Sequence, residues 1–191
     1  MTALHHYNKE KIRLMEIERK FLVRELPGPL NQYENAALEQ GYLCIGPVVR
    51  VRQEGEKYYL TYKGSGQMVR EEYNLPLKEK SYLHLIAKTD GYRIRKIRYR
   101  IPLPGPEGFI AELDVFTEPG RLVMAEVEFE SQEQAEAFTP PPWFGEEVTF
   151  RREYHNSYMS RYGIIDDPTN CPPGAFPEAP ASADGIPDGE N

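Results

Sequence analysis

Cysteine is scarce. The 191-residue chain holds two, Cys44 and Cys171, too few and too far apart for a disulfide framework or a zinc knuckle. Histidine numbers four, with only His5 and His6 adjacent, so neither zinc chemistry nor thiol redox chemistry is expected. No apolar run approaches the roughly 18 residues that span a bilayer, and no membrane partner is expected. The opening stretch MTALHHYNKEKIRLMEIERK has no apolar signal core and no cleavage signature, which makes a cytoplasmic protein the expectation. A phosphate-loop GxxxxGK pattern is missing, as is any Ser/His/Asp or Cys/His nucleophile arrangement. Internal repeats are also absent.

Basic residues are missing from one region altogether. Residues 166–191 carry six acidic side chains, six prolines and three glycines but no Lys or Arg. That composition buries too little apolar surface to offset chain entropy and predicts a disordered tail. The formal net charge of -7 therefore sits mostly in the tail, and residues 1–165 are nearly neutral. At about 150 residues per domain, the expected organisation is an N-terminal extension over 1–13, one domain over 14–165 and the tail over 166–191.

What is present is a series of short alternating runs rich in Val, Ile, Tyr and Phe, separated by Gly or Pro. They fall near 14–24, 47–54, 56–63, 67–75, 92–101, 109–116, 121–130 and 146–150. The pattern predicts a mainly β, antiparallel α+β protein, and eight such strands suit a small barrel. Helices are expected over 30–40, 78–89, 131–138 and 151–162. Ser131 with Gln134 three residues later is a capping-box signature for the third. Gly64-Ser65-Gly66 is expected to be a hairpin turn, and Trp143-Phe144-Gly145 to serve packing and a turn.

The second face of each run is charged. Side chains alternate across a strand, so Glu16, Glu18 and Lys20 oppose Ile17 and Phe21. By the same alternation Arg50 pairs in phase with Arg52, and Lys96, Arg98 and Arg100 oppose Ile97, Tyr99 and Ile101. Lys63, Arg70 and Glu72 fall on two further strands. Glu112 and Asp114 oppose Leu113 and Val115; Glu126, Glu128 and Glu130 oppose Val127 and Phe129. The charges number eight of each sign. They fit either a solvated outer face laced with ion pairs or an inverted barrel with apolar faces outward under helices and charges enclosed. Enclosure is costly, and it fits only a function that handles a highly charged partner.

Glu16-Ile17-Glu18-Arg19-Lys20 is an ExExK motif, within MEIERKFLV. With RVR at 50–52, LTYKG at 60–64, VREE at 69–72, KIRYRIPL at 96–103, ELDVF at 112–116, AEVEFE at 125–130 and PPWFGEEVTFRREYHNSYMS at 141–160, the chain resembles the CYTH family, the triphosphate tunnel metalloenzymes, across residues 14–162. That resemblance implies an eight-stranded closed antiparallel barrel with helices outside and a C-terminal plug helix over 151–162. It implies a small-molecule triphosphate as substrate and Mg2+ or Mn2+ as cofactor. Glu16, Glu18, Asp114, Glu126 and Glu128 would be metal ligands; Glu16, Glu18, Lys20 and Glu128 would be the catalytic set. Lys20, Arg50, Arg52, Lys63, Arg70, Lys96, Arg98, Arg151 and His155 would bind phosphate.

The chemistry agrees with those residue types. Guanidinium and ammonium groups hold polyphosphate, and an all-carboxylate donor set selects hard cations. The expected reaction is hydrolysis of inorganic triphosphate to diphosphate and phosphate. Thiamine triphosphate hydrolysis, ATP cyclisation and non-catalytic binding of polyphosphate or triphosphorylated ends are the alternatives. Duplex nucleic acid is not expected, since no exterior basic stripe is assigned, and the sequence leaves oligomeric state open. Similar sequences often carry Lys where this chain has His155, so a permanent cation at the plug is replaced by a titrating one.

Overall fold

The computed structural model describes residues 15–66, 68–165 and 167–176. Nine strands form a single antiparallel sheet: β1 (Met15–Val23), β2 (Glu34–Ile45), β3 (Val48–Glu54), β4 (Lys57–Lys63), β5 (Val69–Leu77), β6 (Asp90–Pro102), β7 (Ile110–Glu118), β8 (Leu122–Glu128) and β9 (Phe144–Glu147). Their order is β5-β4-β3-β2-β6-β7-β8-β1-β9, and β1 also pairs with β5. The strands β1 to β8 thus close into an eight-stranded barrel. Closure runs through Met15–Ile17 against Val69–Glu71, while β9 borders the second half of β1 through Phe21 and Val23.

One barrel strand was not legible as such. Residues 30–40, expected to be a helix, form a short 3-10 turn (Leu30–Gln32) and the first half of β2. Ala, Leu, Glu and Gln favour helix locally. Here β2 is hydrogen-bonded to β3 on one side and β6 on the other, and that double pairing overrides a preference of a few tenths of a kcal/mol per residue. Of the run expected over 146–150, only residues 146 and 147 are strand, as the end of β9, outside the closed ring; residues 149 and 150 form a turn.

The apolar faces point outward and are covered. Helix α1 (Glu79–Ile86) lays Tyr82 and Ile86 on Val51, with Leu43, Tyr58 and Leu60 around them. Helix α2 (Gln132–Ala137) and the chain after it cover Phe21, Val115, Val127 and Phe129, with edge-on ring contacts from Phe138 to Phe129 and Phe109. Ser131 caps α2, its hydroxyl accepting from the Gln134 N–H at 3.2 Å. Gln134 reaches back to the Glu130 N–H at 3.0 Å, one residue before the cap. Trp143 packs edge-on against Phe144, which opens β9 and stacks on Phe21.

Inside the barrel the inward face changes character along its length. On β8, Glu126 and Glu128 share their face with Met124 and Leu122. Those two join Ile94, Phe116 and Tyr42 and meet Tyr154 and Met159 from the chain that follows β9. That chain is a 3-10 turn (Arg152–Tyr154) and then α3 (Asn156–Tyr162) rather than one continuous helix. It closes one end of the barrel with an apolar plug.

The tail expected from residue 166 is packed at its start. A 3-10 turn spans Pro168–Asn170, Ala175 and Phe176 join the outer core, and the Arg121 guanidinium lies 4.5 Å over the Phe176 ring. Proline-rich composition hid one aromatic anchor. The remainder of that segment, 177–191, and the extension expected over 1–13 lie outside the described residues.

Candidate functional site

The charged inward faces enclose a chamber of about 160 Å³. Seven carboxylates and seven permanent bases line it, with Tyr42, Asn74, His155, Asn156 and Ser157. The inverted reading of the barrel is the observed one.

Strand β1 supplies the floor. In its register with β8, Glu18 faces Glu128 and Lys20 faces Glu126. Lys20, 3% exposed, pairs with Glu126 and lies 2.9 Å from Glu18. Burial alone would lower the Lys20 ammonium, but Glu126 and Glu18 hold it above its ordinary value. Burial likewise opposes the charge on Glu126, yet Lys20, Lys96 and Arg98 keep that carboxyl far below the usual range. Glu16 accepts from Lys63 Nζ at 2.7 Å and from Arg70 Nε at 2.8 Å, and Arg70 Nη2 donates to Glu18 at 2.8 Å. Lys63 also lies 2.7 Å from Glu72 Oε2, an ion pair outside hydrogen-bond geometry.

Strands β6 and β7 form the opposite wall. Arg98 grips Asp114 through Nε at 2.7 Å and Nη2 at 2.6 Å, reaches Glu126 at 2.8 Å and pairs with Glu112. Lys96 lies behind this wall. It pairs with Asp114, both side chains fully enclosed, and stands 5.0 Å over the Phe116 ring. Burial, with Arg98 alongside, pushes the Lys96 ammonium down to about 8.

Arg50 differs from its neighbours. It is 3% exposed, yet no carboxylate among the described residues lies within ion-pair distance of it. Its Nη2 donates to Thr61 Oγ1 at 3.2 Å, and its Nε has no partner. Arg52 beside it holds Gln40 Oε1 at 3.3 Å and Glu54 at a loose 3.5 Å. Burial and the neighbouring Arg50 push the Arg52 guanidinium down. A buried guanidinium with one N–H unsatisfied is costly.

Most sequence-derived residues come together here: Glu16, Glu18, Lys20, Arg50, Arg52, Lys63, Arg70, Arg98, Glu126, Glu128 and His155 line the chamber. Three do not. Lys96 and Asp114 are sealed behind Arg98 as a supporting pair. Arg151 points away, held by Glu146 at 3.0 Å and Glu153 at 2.7 Å. His155 donates from Nε2 to the Thr149 carbonyl at 3.0 Å, and burial together with Lys20 and Arg70 lowers its imidazole. The sequence reading missed Glu54, although it continues the Arg50, Arg52 alternation. It missed Gln40, the last residue of the helix expected over 30–40, and Tyr42, which it placed in no element. Among the described residues no group of three or more His, Cys, Asp or Glu is placed to hold a metal as the side chains stand.

A closed antiparallel barrel with a plugged end and a buried, charge-balanced chamber defines a class of polyanion-handling tunnel proteins. The CYTH domain family matches residues 14–161, and the chain belongs to that family. It is 40% identical over 151 residues to an inorganic triphosphatase of Nitrosomonas europaea, covering 77% of this chain and 97% of that one. To an inorganic triphosphatase of Acetivibrio thermocellus it is 34% identical over 156 residues, covering 75% and 92%. A crystal structure of an inorganic triphosphatase, 39% identical, superposes with a TM-score of 0.55 over 76% of this chain and 93% of that one. No helix of the described residues is long and apolar enough to cross a membrane.

Proposed function

We propose that this protein hydrolyses inorganic triphosphate to diphosphate and phosphate within the chamber. The observation that carries the reading is Arg50, a buried guanidinium with an unpartnered Nε in the lining of the chamber. Arg52, Lys63 and Arg70 stand around it, and each can turn from a carboxylate to a phosphate oxygen. The two relatives named inorganic triphosphatase support the same substrate.

Charge balance supports a divalent cation. Triphosphate carries about four to five negative charges near neutral pH, and seven acids offset the seven bases of the lining. Mg2+ or Mn2+ fits the all-oxygen donors, and such ions commonly use one or two carboxylates plus substrate phosphates. Glu18 and Glu128, directly opposed across β1 and β8, are the pair we assign to hold it, joined by Glu16 and Glu126, as Lys20, Lys63 and Arg70 turn from the carboxylates of Glu16, Glu18 and Glu126 to phosphate. When bound there, the cation would polarise a phosphoryl oxygen and make water a better nucleophile.

The chain's own residues do the rest. Arg50 and Arg52 fork onto phosphate oxygens, while Lys63 and Arg70 exchange Glu16 for the substrate. Lys20 offsets charge as water adds to the terminal phosphorus and the bridging P–O bond breaks. Asp114 and Lys96 keep Arg98 in place.

Phosphate release from inorganic triphosphate, thiamine triphosphate and ATP, compared side by side with Mg2+, Mn2+ and chelator, tests the reading. Turnover of inorganic triphosphate well above the other two, lost in chelator, is expected. No release from any of the three would overturn it.

A further inference from the structure

The chamber shares part of its lining with a second space of different charge. Where the barrel opens, Arg100, Glu112 and Glu128 line both the chamber and an adjoining groove of about 440 Å³ that adds Glu107 and Glu130. Inside, acids and bases balance. In the groove, among the described residues, four carboxylates face one base. That base is already engaged: Arg100 lies 2.5 Å from Glu54, 3.6 Å from Glu34 and 3.8 Å from Glu112.

Two features fix which way a bound chain would extend. The apolar plug of Phe116, Met124, Tyr154 and Met159 closes one end, and the unpartnered Nε of Arg50, 3% exposed, draws the anion inward. A fourth phosphate would therefore project into the acidic groove. Resting on the triphosphatase reading, we infer that this acidic vestibule, and Glu107 and Glu130 within it, sets substrate length by repelling polyphosphates longer than three units.

The chemistry is simple repulsion. Each added phosphate brings at least one negative charge into a partly solvated groove, where like charges several ångströms apart oppose one another appreciably at low salt and weakly beyond a Debye length. Glu107 and Glu130 are exposed and lie outside the chamber lining, so replacing them leaves the phosphate-binding bases untouched.

The test compares kcat/KM for tripolyphosphate and tetrapolyphosphate in the full chain and in the Glu107→Lys, Glu130→Lys double variant. The parent should favour the shorter chain. The double variant should raise the tetra-to-tri ratio about tenfold at low ionic strength, with the gain shrinking in high salt as screening predicts. An unchanged ratio with triphosphate turnover intact overturns the inference. Binding of the same two polyphosphates, read as a rise in melting temperature, repeats the comparison without turnover. A parent that binds but does not hydrolyse would count against the triphosphatase reading, and an unchanged binding ratio against the vestibule.

Discussion

Lys63 Nζ on β4 sits 2.7 Å from both carboxylate oxygens of Glu16 on β1, two residues 47 positions apart in the chain that meet only because β5 closes the ring onto β1. Lys63 has Glu72 on its other side, and Glu16 has Arg70. The chamber is thus a lattice in which most bases and acids satisfy one another. On the proposed reading, a polyanion would exchange these pairs rather than fill an empty basic pocket, starting from Arg50.

Arg50→Met and Arg98→Met should separate binding from folding. Removing a charge-assisted partner costs about 1.5–3 kcal/mol of binding, so Arg50→Met should raise KM for triphosphate at least tenfold. Its melting temperature should hold or rise, because no carboxylate is left alone. Arg98→Met takes one partner each from Asp114, Glu112 and Glu126, leaving them Lys96, Arg100 and Lys20, and breaking a buried pair costs roughly 3–5 kcal/mol. Thermal unfolding without ligand should fall sharply for Arg98→Met alone; equal losses in both variants would contradict the assignment.

Lys96 makes the fold sensitive to alkaline pH in an unusual direction. Burial lowers its ammonium to about 8 from an ordinary 10.5, so between those values the unfolded chain binds more protons than the folded one and this group's contribution to stability rises with pH. The parent should therefore gain stability relative to Lys96→Met as pH climbs from 8 to 10.5, by at most about 1 kcal/mol per pH unit. Denaturant unfolding across that range reads the difference.

His155 is lowered by burial, Lys20 and Arg70, against the opposing pull of the Thr149 carbonyl and Glu18, so the free protein holds it neutral at pH 7. A bound polyanion favours its charged form, which means triphosphate binding takes up a proton there. Affinity should strengthen as pH falls from 7 towards 5.5, more in the parent than in His155→Gln. Calorimetry in two buffers, subtracting the variant, isolates the imidazole from the substrate's own titration.

Truncation distinguishes the packed from the undescribed part of the C-terminal segment. Ending the chain after Phe176 should leave melting temperature and turnover unchanged. Ending it after Ile165 removes Phe176 from beneath Arg121 and from the outer core, and burial of such a ring contributes about 1.5–3 kcal/mol. A chain of residues 1–165 that melts with the parent would show the Phe176 contact to be idle.

The sequence by itself determined which side chains share a face. Alternation is local and covalent, so the inward sets Glu16, Glu18, Lys20 and Arg50, Arg52 and Glu126, Glu128 could be read before any fold was known, and the apolar complement implied covered outer faces. Tertiary structure decided which charges meet. Strand pairing and barrel closure, set by contacts far apart in sequence, drew residues 34–40, the greater part of the helix expected over 30–40, into a central strand that runs on to Ile45. The same closure sealed Lys96 and Asp114 behind Arg98, aimed Arg151 at Glu146 instead of the chamber and left Arg50, of the bases that line the chamber, without a carboxylate within ion-pair distance among the described residues. A strand's period fixes direction; only the register between strands fixes partners, and in a chamber this crowded the partners determine which groups are available to a ligand.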